Sequence, residues 1–230
     1  MKPLFITALC AASFCLSPGM AEAQSRWKPD LSFGVHGGAG ASKLFFSPGI
    51  HEKMLFGPTA GVSFRYSEEN HFGLIAELNY TRRGWREDFR TYTQFTYSRS
   101  LDYLELPVMA HIYFGRKSRF YINLGPQFSY MIGDGVSANF DYKDISSVPG
   151  FPTTGRNNAQ LDMEVTKRFD YGICAGLGGE WRMAQRHSLS LEARFYYGLG
   201  NCFPSKRADV FHSSNAMVVS ATIGYWFHLR

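Results

Sequence analysis

Eight stretches of this chain alternate apolar with polar residues, and in each stretch the apolar members keep to one parity. Side chains of a β-strand point alternately to the two faces of a sheet, so a fixed parity means one apolar face and one different face. Phe72, Leu74, Ala76, Leu78 and Tyr80 form one such row; Leu104, Leu106, Val108, Ala110, Ile112 and Phe114 form another; Val219, Ala221, Ile223, Tyr225 and Phe227 belong to the last. Each run is about nine to eleven residues, the length a tilted strand needs to cross a bilayer. Connections alternate as well: brief turns at 67–70, 115–118 and 183–187, and longer polar loops at 41–55, 84–95, 133–165 and 201–213. Short turns on one side and long loops on the other are the rhythm of an outer-membrane barrel.

The opposite parity decides between a barrel in lipid and a soluble one. It carries small residues such as Gly34, Gly61, Gly125, Gly176, Gly178 and Gly224, together with Arg65, Glu77, Glu105, His111, Glu180, Glu192 and Arg194. A soluble eight-stranded barrel would turn the apolar row inward, filling a narrow interior with Phe and Tyr and leaving the glycines in water. Eight strands enclose only enough room for side chains to fill, so glycines and paired charges belong inside and aromatics outside. The fold class read here is all-β: an eight-stranded antiparallel up-and-down transmembrane β-barrel, with both ends on the periplasmic side. Aromatics near the ends of the apolar rows, among them Phe72, Phe114 and Trp181 at the turns and Tyr80, Tyr130 and Tyr197 toward the loops, read as two interfacial girdles.

Lys2, the apolar run 4–16 and Ala21-Glu22-Ala23 have the order of a secretory signal, so residues 1–23 read as a cleaved export peptide and 24–230 as one barrel domain. The formal charge of +5 is modest and dispersed along an exported chain, which argues against a nucleic-acid partner. Cys174 and Cys202 lie in an oxidising compartment, but Cys174 sits far down its strand whereas Cys202 follows the top of the next. That separation argues against a disulfide unless a loop folds inward. Pro107 lacks an N–H in the middle of a strand, so a β-bulge is expected there.

The segment Tyr103-Leu104-Glu105-Leu106-Pro107-Val108, with Phe120-Tyr121-Ile122-Asn123-Leu124-Gly125-Pro126, Asp170-Tyr171-Gly172-Ile173 and the end Ile223-Gly224-Tyr225-Trp226-Phe227, resembles the PorT-like outer-membrane β-barrel family. The resemblance implies an integral barrel of a Gram-negative outer membrane and a link to protein secretion. It carries no catalytic residue and no cofactor. The chain ends in Arg230 where such barrels commonly end in an aromatic; Phe227 is the nearest substitute.

The inward charges Arg65, Glu77, Glu105, His111, Glu180, Glu192 and Arg194 read as an ion-pair plug, because an unpaired charge out of water is costly. Arg82, Arg83, Arg86 and Arg90, interleaved with Trp85 and Phe89, sit where the third strand leaves the membrane, and read as contacts to outer-membrane lipid phosphate or as an ordinary charged loop. His51 and His212-Ser213-Ser214 are the candidates for a Ser–His hydrolase pair, but no orienting third group accompanies them. The histidines and cysteines lack metal-site spacing, and the acidic residues of the 133–165 loop lack the calcium-loop pattern. The expected function is therefore a non-enzymatic interaction or assembly component in the outer membrane, with an envelope protein as partner. A narrow-solute transporter and a lipid-modifying enzyme are the alternatives.

Overall fold

The computed structural model describes residues 29–69, 71–154, 156–204 and 209–229, with the side chains of 68 and 69 left out; the export segment 1–23 lies outside these residues. Eight strands follow one another around a closed antiparallel barrel: β1 (Asp30–Ser47), β2 (Glu52–Glu69), β3 (Phe72–Glu87), β4 (Tyr97–Gly115), β5 (Ser118–Ala138), β6 (Phe169–Ala184), β7 (His187–Gly198) and β8 (Ser213–His228). The ring closes by pairing β1 with β8 from Ser32↔His228 to Ser47↔Ser213, so no strand edge is left for lipid to face. The outward row is exposed, as at Ile223 with 65 % of its surface accessible, while the inward row of the same strands is buried.

Several strands are longer than the bilayer requires. β5 has 21 residues, about twice the span of a tilted transmembrane strand. The expected loops at 41–55 and 84–95 are accordingly too long: β1 runs to Ser47 and β2 starts at Glu52, and β3 runs to Glu87. The reason lies in parity. Beyond the membrane the chain keeps alternating, but the apolar members now occupy the inner row, as with Leu44 and Phe46 on β1 and Trp85 on β3. A pattern that requires apolar residues outside reads this continuation as loop.

The bulge expected at Pro107 is absent. Pairing with β5 keeps one register through Pro107↔Gln127, and pairing with β3 keeps one register from Ala76↔Val108 to Asn79↔Glu105. Each residue offers its N–H to only one neighbouring strand, so a proline removes a single rung and needs no extra residue. The shift between β4 and β5 falls instead at Asp102 and Tyr103, where Ile132 is the additional residue. A second shift, between Met54 and Thr59 on β2, takes in Pro58. Both lie where the barrel leaves the membrane, and both exchange the faces of the residues above them.

Above that level a second core closes the end of the barrel opposite the short turns. Phe46, Trp85, Leu101 and Tyr103 from the strands pack with Phe151, Leu161 and Val165 of the 139–168 loop and with Cys202, Phe203 and Phe211 of the last loop. Phe46 meets Phe211 with ring centroids 4.9 Å apart, and Trp85 meets Phe203 edge-on at 5.9 Å.

Candidate functional site

The interior of the membrane-spanning part is a stack of charged tiers. Nearest the turns, Arg65 donates to Glu180 at 2.5 and 3.3 Å, and its guanidinium lies 4.3 Å from the Trp226 ring. In the middle, Arg194 donates to both oxygens of Glu77 at 2.6 and 2.9 Å and to Glu192 at 2.7 Å. Asn123 links Glu192 to His111, donating to the carboxylate at 3.0 Å while its own carbonyl lies 2.7 Å from the imidazole. His36 approaches Glu77 at 3.9 Å. Nearest the cap, Arg83 pairs with Asp170 at 2.8 Å and with Glu105 at 3.6 Å, and stacks over Tyr103.

Glycines make these tiers possible. A Cβ on Gly176 would fall 2.4 Å from Glu192 Oε1, and one on Gly178 would fall 2.3 Å from the Tyr121 ring. A void of about 20 Å³ lies between the tiers beside His36, Glu105 and Arg194. That is room for about one water molecule.

All seven residues expected inside are brought there, with His111 bonded to an amide instead of a carboxylate. Arg83 requires a correction. It is buried in the lumen and cannot meet lipid phosphate, because it lies on the inward row of β3 with Glu77, Asn79 and Thr81. Arg82 and Arg86 point outward and Arg90 is exposed in the loop after β3. Arg82 is held by Asp102 at 2.7 Å, an acceptor that Tyr80 shares.

The Ser–His candidates are not joined to each other. Ser214 Oγ accepts the Phe203 N–H at 2.9 Å, while His51 lies 3.1 Å from the Arg90 guanidinium. A different trio sits at the short-turn end: Ser188 Oγ is 2.8 Å from His228 Nε2, and His228 Nδ1 is 2.9 Å from Asp30 Oδ2. These are the contacts of a hydrolase triad. Yet Ser188 and His228 have no accessible surface, and Ser32 Oγ and Glu180 crowd the same imidazole. The trio ties β1, β7 and β8 together where the barrel closes, and an acyl group has no route to the hydroxyl in this arrangement. Cys174 and Cys202 are both buried and both free, although the last loop does fold inward.

Among solved structures, the outer membrane protein OprG of Pseudomonas aeruginosa is similar over 86 % of this chain and 96 % of its own, at 10 % identity and a TM-score of 0.51. Ail, the attachment invasion locus protein of Yersinia pestis, matches 87 % of this chain and 100 % of its own, at 11 % identity and a TM-score of 0.44. At such identities the likeness to OprG is one of fold. No curated protein matches the sequence. The family model described as outer membrane protein beta-barrel domain matches residues 22–204, most of the chain. This protein is thus an integral outer-membrane β-barrel and belongs to the outer membrane protein beta-barrel domain family.

Proposed function

We propose that the protein is a closed barrel of the PorT-like kind that acts by recognition through its external cap, as a non-enzymatic component linked to protein secretion. The observation that carries this reading is the double closure of the barrel: among the described residues, paired charges and buried side chains pack the lumen around a void of about 20 Å³, and the apolar cap covers the mouth opposite the short turns. A filled interior leaves the loops, the turns and the lipid-facing wall as the surfaces where a partner can act. The 139–168 loop is suited to recognition because it is anchored: Tyr97 donates to the Leu161 carbonyl at 2.9 Å, and Arg156 reaches Glu87 at 2.6 Å. A pre-ordered loop binds without first losing its conformational freedom.

The test has two arms. Purified protein in planar bilayers is expected to give no discrete conductance steps; reproducible steps would replace this reading with the narrow-solute transporter. In cells, deleting residues 145–161 is expected to leave a heat-modifiable, folded barrel and to abolish export of secreted cargo. Normal export by that variant would overturn the secretion role. The burial of Ser188 and His228 weighs against the lipid-modifying enzyme, and covalent labelling of Ser188 by a fluorophosphonate would replace this reading with it.

A further inference from the structure

The outer flank of β2 and β3 gathers more cations than the barrel neutralises. Lys53 and Arg86 are direct partners across the ladder, and both side chains are exposed on its outer face. Like charges directly opposite one another destabilise a sheet, so this pair is not explained by folding. Arg90 adds a third cation from the loop just beyond β3. Of the two neighbouring acids, Glu87 turns into the cap, where Arg156 and Gln160 hold it. Asp88 alone faces the flank, 2.9 Å from Lys53. Among the described residues Arg86 has no ion pair and no side-chain hydrogen bond.

These cations rim a cleft of about 600 Å³ whose wall includes Phe56, at 75 % the most exposed large apolar side chain among the described residues. A Cβ on the adjacent Gly57 would lie 2.2 Å from the Arg82 carbonyl oxygen, which sets Phe56 at the level of Arg82, two residues beyond Tyr80 of the outer aromatic row. Lys53 and Arg86 stand four residues further out on the strand, about 10 Å in height for a strand tilted by roughly 40°. The flank thus offers an apolar foot at the membrane surface and an excess of cations about 10 Å above it.

We infer that this flank binds a phosphorylated glycolipid of the outer leaflet, with the lipid base against Phe56 and the anionic sugar substituents on Lys53, Arg86 and Arg90. Guanidinium groups suit phosphate because they donate two parallel charge-assisted hydrogen bonds. A soluble polyanion would satisfy the cations but would leave Phe56 in water. This inference is independent of whether the cap recognises a protein.

The test uses the full chain in nanodiscs and two probes, rough lipopolysaccharide and the same material after phosphatase treatment, with bound glycolipid counted by native mass spectrometry. Wild type is expected to prefer the phosphorylated probe by about tenfold, the equivalent of one charge-assisted hydrogen bond. Lys53→Gln with Arg86→Gln is expected to remove that preference, Phe56→Ser to weaken both probes, and Arg116→Gln, in the turn after β4, to change neither. Heat-dependent gel mobility verifies that each variant is folded, and the single Arg86→Gln variant serves if the double one is not. Equal binding of the two probes by wild type would overturn the inference, as would an undiminished preference in the folded double variant. A double variant that loses only dextran sulfate binding in solution would overturn it in favour of a soluble polyanion.

Discussion

Below Tyr103 the barrel buries paired arginines and carboxylates beside Ile75, Met109 and Trp226 and turns a continuous apolar row outward; above Tyr103 the same strands turn Leu44, Phe46, Trp85 and Leu101 inward. The change follows the solvent outside the wall. Lipid surrounds the lower part, so the outer row must be apolar and the interior can be polar provided its charges are paired. Water surrounds the upper part, and the hydrophobic effect drives the apolar row inward as in any soluble barrel. The two interiors therefore fail in different ways. The lumen loses most when one charge is orphaned, and the cap loses most when packing volume is removed.

The largest effect is expected in the lumen. Arg194→Met would strand Glu77 and Glu192, both nearly inaccessible, at a cost of about 3–5 kcal/mol. Urea titration of the barrel in lipid vesicles reads this directly. Adding Glu77→Gln and Glu192→Gln to Arg194→Met should restore most of the loss, because no uncompensated charge then remains. A single variant as stable as wild type would mean that the tier is hydrated rather than closed.

Parity made much of the lumen legible, and applied further it would have revealed more. The row Glu77, Asn79, Thr81 continues without interruption to Arg83, so grouping Arg83 with Arg82, Arg86 and Arg90 by nearness in sequence overrode a period-2 signal that places it inside. The same rule applied to β1 and β6 assigns His36 and Asp170 to the lumen. The cap resisted reading for a physical reason. Its apolar row is the inner one, and the shifts at Ile132 and between Met54 and Thr59 change the phase of two strands just where the solvent changes. Leu161, Phe203 and Phe211 join it from loops whose paths no local periodicity fixes. Ser188, His228 and Asp30 meet only because β1 closes on β8, with Asp30 and His228 198 positions apart in sequence.

A cap substitution sharpens the contrast at smaller cost. Leu161→Ala removes a side chain that is 1 % accessible from the point where the long loop is held, an expected loss of about 2–4 kcal/mol. That loss should appear as faster proteolytic cleavage within 139–168, while the urea midpoint of the barrel stays near wild type, since loops can open without unfolding the strands beneath. If the barrel midpoint fell together with the loop's resistance, cap and lumen would be one cooperative unit and the comparison would fail.

The smallest effect lies at the rim where the two interiors meet the loops. Glu52 accepts the Leu44 N–H at 3.2 Å on the inner face of β2, directly opposite Glu87. Burial pushes its carboxyl up to about 7, with a further upward contribution from Glu87 and downward ones from the Leu44 N–H and Lys43. Burial raises Glu87 as well, against Gln160, Arg156 and Trp85. An acid whose folded pKa lies above its ordinary value near 4.5 binds the extra proton in the folded state, so stability falls as pH rises from 4.5 to about 7 and is level above that. Hydrogen exchange at Leu44, corrected for the intrinsic rate, should therefore show declining protection across this window. Glu52→Gln keeps a carbonyl for the Leu44 N–H and cannot ionise, so it should flatten the decline and protect the rim best above pH 7. An unchanged slope in that variant would move the titration to Glu87, the other carboxylate on this face.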